Sequence, residues 1–407
     1  MTPRTQATMS PVAPWRRAAR SAMTRRRAGP RLRRRTTTAG LDERLIHVLR
    51  RLDAAAPKSI GYPVAADIDY RPLAPFLRHL LNNIGDPNVD PIYYGHAKDL
   101  ERDVLDFYAH LFRAPEGWAG YVTSGGSEGN LHGLWLARTK YPNAIVYHSG
   151  ASHYSVAKAC HLLGLPSVAI ATTANGEIDY TDLQQQAGRL PARPAIVVAN
   201  IGTTITEALD DVPRLHAELD TAGITHRYIH SDAAFVGIPR ALTQDQSSFD
   251  LTGGADSISF SGHKWLGTPL PCGVVIARRG HRELARAVRY TGSPDTTVSG
   301  SRSGLAAVML WYANNQLGEK GHLKRTLRAQ DLAAYACRQL TEIGWPHWRN
   351  PNALTIMLHD VPRSIRQQWR LPTVGGWSHI ICAPGITRQQ VDALVAELRV
   401  VTPGRNI

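Results

Sequence analysis

The sequence predicts an α/β protein with a mostly parallel central sheet, followed by a smaller C-terminal α+β domain. Between residues 128 and 277, short apolar runs alternate with amphipathic helical stretches. This is the pattern of crossover connections between parallel strands that are covered on both faces. Around residue 290 the pattern changes to long helical stretches with few apolar runs. We therefore expect an N-terminal segment plus a large domain over 41–290 and a small domain over 291–407.

The individual elements follow from apolar periodicity, taken in chain order. Helical spacing first predicts helices over 41–56 and 101–112, with a region rich in proline and glycine between them. The alternating region then contains six candidate strands, at 144–147, 168–171, 195–200, 228–231, 257–260 and 273–277. The candidate helices are 128–140, 155–164, 180–190 and 213–223, then 305–318, 325–342 and 388–400 in the small domain. Ligands of such sheets bind where the strands end, so polar residues at strand ends are the first candidates for function.

The positive charge of the chain is concentrated in its first forty residues. The formal net charge is +14, and residues 1–40 contain eleven arginines and no acidic residue. A nucleic-acid-binding arm and a transit peptide are two interpretations of this segment, and a disordered tail is the one we adopt. It has no apolar run, so we expect neither a secretory signal nor a membrane span there. The nearly neutral remainder gives no reason to expect nucleic acid as a partner.

The four cysteines argue for a reducing compartment and against a metal site. Cys160, Cys272, Cys337 and Cys382 lie far apart in the chain, with no C-x-x-C pair and no cluster with histidine at metal-ligand spacing. We therefore expect free thiols, a cytoplasmic location and no bound metal.

Lys264 points most directly to chemistry. It lies in SFSGHKWLG, residues 259–267, between the candidate strands 257–260 and 273–277. A lysine on a loop between two buried strands is desolvated, which lowers the pKa of its amine and frees the lone pair to attack a carbonyl. The aldehyde of pyridoxal phosphate is such a carbonyl. A buried lysine in a salt bridge explains the same pattern, so this motif alone leaves both interpretations open.

Two other segments offer an anion site and a ring contact. Residues 123–130, TSGGSEGN, begin a candidate helix with small residues, so backbone amides and the positive end of the helix can bind a phosphate. An ordinary N-cap at Ser127 explains this segment as well. His153 precedes the next candidate helix, where an imidazole either stacks on a planar cofactor or is merely structural.

Two strand ends carry polar residues. Asp232 follows the run 228–231, and a carboxylate there must be hydrogen-bonded, metal-bound or paired with a cation such as a protonated pyridine nitrogen. Capping of the next turn is the alternative for Asp232. Thr203 follows the run 195–200, where its hydroxyl either reaches a ligand or closes the turn.

In combination, the order of these sites resembles that of the fold-type-I pyridoxal-phosphate enzymes. Within them it is similar to the group II amino-acid decarboxylases, and specifically to the bacterial histidine-decarboxylase-like branch. The resemblance covers roughly residues 58–400. Its matching stretches are 82–87 (NNIGDP), 120–130 (GYVTSGGSEGN), 153–158 (HYSVAK), 199–204 (ANIGTT), 230–234 (HSDAA), 261–264 (SGHK), 269–275 (PLPCGVV), 300–302 (GSR) and 380–387 (IICAPGIT).

The resemblance implies a role for each matching residue. Lys264 would hold pyridoxal 5'-phosphate covalently, Asp232 would face the pyridine nitrogen, and Ala234 would pack beneath the ring. His153 would stack above the ring and touch the substrate. Thr203 would lie near the ring hydroxyl or the substrate carboxylate. The implied phosphate contacts are Gly125, Gly126, Ser127, Ser261 and His263.

The implied activity is decarboxylation of an L-amino acid to its amine and carbon dioxide, on an aspartate aminotransferase-like fold. Histidine is the first choice of substrate, and similar sequences leave serine and valine open. An aminotransferase or lyase of the same fold also stays open, although it would need an arginine anchor in the small domain. Arg363 and Arg370 match no such motif that we recognise. The resemblance also implies a homodimer, in which Ser301 and Arg302 would reach the partner's cofactor.

Three residues depart from the pattern of the family. Ser231 and Phe235 flank the aspartate where other small or apolar residues are usual, and Trp265 follows the lysine where methionine or phenylalanine is more usual. None of the three removes a group with an implied role. Phe235 is expected to narrow the pocket.

Overall fold

The computed structural model describes residues 42–243, 249–278 and 287–401. The tail expected over residues 1–40 therefore lies outside the described residues. The chain forms two compact units, of which the first ends at Leu52 and the second begins at Asp53. Helix α1 (Glu43–Ala55) contains this boundary. The domain boundary expected near residue 290 stays a prediction.

A seven-stranded sheet forms the centre of the second unit. Its strands are β1 (Ala119–Thr123), β2 (Ile145–Ser149), β3 (Ser167–Ile170), β4 (Ala195–Asn200), β5 (Arg227–Asp232), β6 (Ser257–Ser261) and β7 (Gly273–Ala277). The order across the sheet is β1-β7-β6-β5-β4-β2-β3, and β7 alone runs in the direction opposite to the other six strands. The mostly parallel sheet is confirmed, and the six candidate strands match within two residues at each end. Strand β1 was not predicted, because AGYVT offers only a short apolar run.

Helices cover both faces of this sheet. They are α2 (Lys98–Leu111), α3 (Gly126–Lys140), α4 (Ser155–Leu163), α5 (Tyr180–Gly188), α6 (Val212–Thr221), α7 (Gly237–Leu242) and α8 (Gly262–Trp265). All six residues of β4 are buried, as expected of a parallel strand covered on both sides. Separate apolar clusters pack around the sheet, one with Val197 and Ile229, the other with Val146 and Val198. The alternation in the sequence reflects this layered arrangement.

The C-terminal part has an antiparallel sheet of its own. Its strands are β10 (His347–Trp348), β11 (Thr355–His359), β12 (Thr373–Val374) and β13 (Trp377–Ile381), in the order β10-β11-β13-β12. The helices of this part are α9 (Gly304–Glu342), α10 (Arg363–Trp369) and α11 (Arg388–Val401). A hairpin of β8 (Ala287–Val288) and β9 (Ser293–Pro294) precedes them, and two 3-10 helices, Ala56–Lys58 and Arg71–Arg78, lie near the start of the unit.

Helix α9 joins two stretches that were predicted as separate helices. The chain stays helical through residues 319–324, and the break falls at Gly318, whose φ of 56° and ψ of −178° kink the helix. Glycine adopts this positive φ without a steric penalty from a Cβ. The predicted break after residue 318 is therefore confirmed as a kink, and the predicted non-helical gap over 319–324 is wrong.

No helix in the described ranges combines the length and the apolar character needed to cross a membrane.

Candidate active site

Asp232 lies at the end of β5, where three strands bring polar residues together. Its backbone pairs with Asn200 on β4 and with Ser259 on β6. The side chain is buried, with 6% of its surface exposed. One carboxylate oxygen, Oδ2, accepts a hydrogen bond from Asn130 Nδ2 at 2.7 Å. The other, Oδ1, is buried and has no hydrogen-bond partner among the described residues, so it can receive a donor from a bound molecule.

Lys264 lies on the short helix α8, not on the loop that the sequence suggested. Strand β6 ends at Ser261, and the amide of Gly262 donates to the carbonyl of Cys272 at 2.7 Å, which tightens the connection to β7 into a helical turn. The side chain is half-buried. Burial lowers the pKa of the Lys264 amine, and the carboxylate of Asp232 partly opposes this effect. The lowering that we expected from desolvation is confirmed, and it makes the amine a better nucleophile.

The backbone of α8 is held by donors from distant parts of the chain. The carbonyl of Lys264 accepts from the amide of Ala65 at 2.9 Å, and that of Leu266 accepts from the Tyr70 hydroxyl at 2.9 Å. The carbonyl of Trp265 accepts from Arg325 Nη2 at 3.0 Å. These bonds satisfy the carbonyls that a short helix leaves unpaired at its C-terminal end. Sequence reasoning did not find them, because their donors carry no motif.

The glycine-rich segment forms a cradle at the start of α3. The amide of Gly126 donates to Ser261 Oγ at 3.2 Å. A Cβ added to Gly126 would lie 2.7 Å from the same oxygen, and one added to Gly125 would lie 3.6 Å from His263 Cε1. Gly125, with φ of 151°, is the N-cap of this 15-residue helix, so the alternative interpretation of an N-cap at Ser127 does not apply. Ser127 is instead exposed in the first turn, where backbone amides and the helix dipole favour an anion.

Ala234 and Thr203 lie on the loops that follow β5 and β4. The carbonyl of Ala234 accepts from the amide of Ser261 at 3.0 Å, and its Cβ would be 3.7 Å from a Cβ at Gly126. Thr203 is buried, and its Oγ1 accepts from the amide of Ala208 at 3.0 Å and lies 2.9 Å from Thr206 Oγ1. The hydroxyl of Thr203 therefore bonds within its own loop, and a contact between Thr203 and a ligand stays a prediction.

His153 precedes α4, as expected, and is half-buried beside Tyr154. The centres of the two rings are 4.2 Å apart at an angle of 42°. Its Nδ1 lies 2.8 Å from Ser155 Oγ. Burial lowers the pKa of His153, while Asp232 acts in the opposite direction. Burial therefore favours the neutral form of the imidazole.

The residues that depart from the family pattern serve the core. Phe235 is buried and packs edge-on against Trp265 in the core, with ring centres 6.2 Å apart, and the expected narrowing of the pocket stays a prediction. The Ser231 hydroxyl donates to the carbonyl of Phe249 at 2.8 Å. The guanidinium of Arg325 lies 5.0 Å above the Trp265 ring.

Arg302 is turned into the protein. Its guanidinium pairs with the buried carboxylate of Glu101 and donates to the carbonyl of Gly85 at 2.8 Å, with 3% of the side chain exposed. The expectation that Arg302 reaches a partner's cofactor is therefore wrong, because a buried guanidinium stays with its carboxylate.

No group of three or more histidine, cysteine, aspartate or glutamate side chains at metal-binding distance occurs in the ranges that the structure describes.

The sequence is similar to a known protein family and to known decarboxylases. The profile of a family described as "Pyridoxal-dependent decarboxylase conserved domain" matches residues 77–344. A histidine decarboxylase of Mesorhizobium japonicum is 47% identical over 339 residues, covering 83% of this chain and 91% of that protein. A histidine decarboxylase of Morganella morganii is 36% identical over 346 residues, covering 84% and 91%.

Solved structures of related enzymes share the fold. L-methionine decarboxylase from Streptomyces sp.590 has a TM-score of 0.76 and 26% identity, covering 89% of this chain and 97% of that one. A glutamate decarboxylase of Lactobacillus brevis has a TM-score of 0.72 and 19% identity, covering 91% and 95%. The expected fold-type-I class is confirmed.

Proposed function

The chain belongs to the pyridoxal-dependent decarboxylase family, as the sequence resemblance predicted, and from this membership we propose that it converts L-histidine to histamine and carbon dioxide. It is a carboxy-lyase that uses pyridoxal 5'-phosphate and acts on an amino acid. Histidine is supported by the two relatives named histidine decarboxylase, at 47% and 36% identity over most of the chain. Serine, valine and, from the structural neighbour, methionine are the competing substrates.

The described residues fit this cofactor in three respects. Asp232 keeps one buried carboxylate oxygen without a partner among the described residues, which suits a protonated ring nitrogen. At the positive end of α3, the glycines of the cradle let the backbone of Gly125 and Gly126 lie close to Ser261 and His263, which suits a phosphate. The amine of Lys264 has a lowered pKa, which suits an aldehyde. The presence in one site of a desolvated lysine and a buried aspartate with an unpartnered oxygen is the observation that carries the proposal.

Each residue of the site then has an assigned task. Bound pyridoxal phosphate supplies a conjugated ring that accepts the electron pair left when the carboxylate departs as carbon dioxide. Lys264 is assigned to hold the aldehyde and Asp232 to keep the ring nitrogen protonated, since an ion pair strengthens where water is excluded. His153 and Ala234 are assigned to the two faces of the ring, and Thr203 to the ring hydroxyl or the substrate carboxylate. The phosphate is assigned to Gly125, Gly126, Ser127, Ser261 and His263.

Borohydride trapping and a substrate panel test the proposal together. Protein saturated with pyridoxal phosphate is reduced, digested and mapped by mass spectrometry, and the label is expected on the peptide that contains Lys264 but not in Lys264→Ala. An unlabelled peptide would overturn the site. Release of carbon dioxide with equimolar histamine is expected from histidine. Formation of a keto acid would indicate an aminotransferase. Faster release of carbon dioxide from serine, valine or methionine than from histidine would overturn only the choice of histidine as the substrate.

The homodimer is also a proposal. It is supported by large apolar side chains of the second unit that are exposed in the single chain, among them Leu80 at 74%, Ile92 at 78% and Tyr94 at 89%. Such side chains are costly to leave in water when they are contiguous, and they are typical of interfaces. Sedimentation equilibrium of the full chain is expected to give twice the mass of 44.7 kDa. A monomer at micromolar concentration would contradict the proposal.

A cytoplasmic location is proposed on the state of the thiols. All four cysteines are free in the structure, and Cys160, Cys272 and Cys382 are buried. Cell fractionation of the source organism tests this location directly.

A further inference from the structure

A continuous chain of hydrogen bonds joins Asp232 to His153 through two residues, Asn130 and Ser155. Asn130 Nδ2 lies 2.7 Å from Asp232 Oδ2 and 3.1 Å from Ser155 Oγ. Ser155 Oγ in turn lies 2.8 Å from His153 Nδ1. Asn130, Ser155 and Asp232 are 1%, 2% and 6% exposed, so each donor in the chain needs an acceptor within it. The direction of every hydrogen bond can therefore be assigned.

The assignment starts from Asp232, because a carboxylate can only accept. Nδ2 of Asn130 donates one proton to Asp232 Oδ2, and its second proton goes to Ser155 Oγ. The hydroxyl of Ser155 accepts there, so its own proton is available to Nδ1 of His153. The backbone amide of Ser155 also donates to this nitrogen at 3.3 Å. Two donors thus face Nδ1 of His153, and this nitrogen must carry the lone pair.

The hydrogen bonds at the amide oxygen of Asn130 support the same orientation of its side chain. Its Oδ1 accepts from Ser259 Oγ at 2.9 Å and lies 3.0 Å from His230 Nε2. His230 Nδ1 lies 2.7 Å from Ser257 Oγ, which can donate to it. Burial lowers the pKa of His230 to about 4, so the ring is neutral and has one proton, on the nitrogen that faces Asn130. This arrangement agrees with the amide orientation that Asp232 requires.

We propose that Asn130 is a positioning residue that orients Asp232 and, through Ser155, holds His153 as the neutral tautomer with its proton on Nε2. His153 then offers an N–H donor, and not a lone pair, to a bound molecule. The complementary group is an acceptor such as a carboxylate oxygen. The inference rests on the proposed function only where it places His153 and Asp232 beside a cofactor, since the hydrogen bonds are formed within the chain.

His263 provides a contrast within the same site. Its Nδ1 lies 3.2 Å from the carbonyl of Cys272, and a carbonyl can only accept. When His263 is neutral, its proton is therefore on Nδ1. The two histidines of the site are opposite tautomers, which gives the measurement an internal reference.

The test is nitrogen NMR of the full-length protein labelled with ¹⁵N-histidine, without added cofactor and at neutral pH. Resonances are assigned by comparison with His153→Gln and His263→Gln. Wild type is expected to show His153 protonated on Nε2 and His263 protonated on Nδ1. Ser155→Ala removes one of the two donors to His153 Nδ1, so the ratio of the Nε2-H to the Nδ1-H form should fall roughly fivefold, as expected for one neutral hydrogen bond.

A second variant and a control complete the test. Asn130→Asp places a carboxylate where the amide donated, so the Ser155 proton turns away from His153 and the ratio should fall similarly. Ser149→Ala removes another buried hydroxyl, which accepts from Ala151 outside this chain of bonds, and should leave the ratio unchanged.

Three results would overturn the proposal. One is wild-type His153 protonated on Nδ1 or on both nitrogens, and another is an unchanged ratio in folded Ser155→Ala. The third is an equal change in Ser149→Ala. If Asn130→Asp fails to fold, the wild-type tautomer and Ser155→Ala still decide. Carbon dioxide release is not part of this test, so a failure of the proposed decarboxylation would leave its result intact.

Discussion

At the scale of single residues, burial controls the charge states of the site. Desolvation lowers the pKa values of Lys264, His153 and His263, while the carboxylate of Asp232 opposes this effect at Lys264 and His153. An uncharged amine and neutral imidazoles therefore become easier to reach near neutral pH. For Lys264 this direction was predictable from the apolar strands on either side of it.

Asp232→Asn is expected to keep the fold and to lower kcat for decarboxylation by at least about 100-fold. The side-chain oxygen can still accept from Asn130, but a neutral amide cannot pair with a protonated ring nitrogen. Carbon dioxide release under saturating substrate and cofactor measures the effect. Asp220→Asn, an exposed partner of Arg227, is the matched control and should behave as wild type. Turnover of Asp232→Asn near the wild-type rate would refute the assigned role.

His230 gives the stability of the protein a defined pH dependence. Its pKa is about 4 in the folded protein, below the ordinary 6.5, because the ring is buried. The unfolded chain therefore binds more protons between these two values. The contribution of His230 to stability is complete above pH 6.5 and is lost progressively as the pH falls through 4.

Between pH 7.5 and pH 5, the loss from this residue should be roughly 2 kcal/mol of unfolding free energy. Urea unfolding of wild type and of His230→Gln at both pH values isolates the loss that His230 causes, since all other titratable groups are common to the two proteins. Equal pH dependence in the two proteins would show that His230 is protonated in the folded state.

At the scale of elements, the lysine depends on contacts that hold its short helix. A four-residue helix has little stability of its own, so α8 needs the three donors at its carbonyl end. Arg325 contributes one of them, and its guanidinium is fixed by two hydrogen bonds to Asp67, at 2.8 and 2.6 Å. The position of Lys264 is thereby tied to α9 and to the segment before the first strand.

Arg325→Gln is expected to lower the unfolding free energy by about 2–3 kcal/mol, below the range for a fully buried pair because Asp67 is partly exposed. Decarboxylation should fall as well, because α8 loses a contact. Arg71→Gln breaks an exposed two-point contact with Asp69 in the same segment and is the control. Urea unfolding measures the free energy of unfolding of both variants. Similar losses in the two variants would contradict the role of Arg325 in holding α8.

At the scale of the whole molecule, one carboxylate links the main sheet to the antiparallel sheet. Glu207 follows β4 on the Thr203 loop and is buried. Its carboxylate accepts from the amides of Leu354 and Thr355 at 2.9–3.0 Å and from the Thr355 hydroxyl at 2.7 Å. The Glu207 side chain thus joins the loop beside the proposed cofactor site to the start of β11, and Asn350 Nδ2 adds a bond to the carbonyl of Thr206 at 2.9 Å.

Glu207→Ala should cost roughly 3 kcal/mol, because it leaves three buried donors without an acceptor. Urea unfolding measures this loss of unfolding free energy. The stability of Glu207→Gln, which keeps one side-chain oxygen, should lie between those of Glu207→Ala and wild type. Glu116→Ala on the surface should leave stability unchanged. A loss no larger than that of Glu116→Ala would mean that the link contributes nothing to folding.

The sequence alone determined the order of strands and helices along the chain, the mostly parallel sheet and the family. It also identified the residues that are proposed to contact the cofactor. These features are readable because apolar periodicity and motifs such as SGHK are local. Two of its errors were local as well: the alternative of a cap at Ser127, where the N-cap is Gly125, and the loop expected at Lys264, which is a helical turn.

Only the tertiary structure decided which groups hold those residues in place. Asn130 meets Asp232 across 102 positions, Thr355 meets Glu207 across 148, and Arg325 meets Asp67 across 258. Arg302, which was expected at a partner's cofactor, pairs instead with Glu101 across 201 positions. Such contacts have no signature in a local pattern, because a donor and an acceptor are matched by the folded geometry and not by their spacing in the chain.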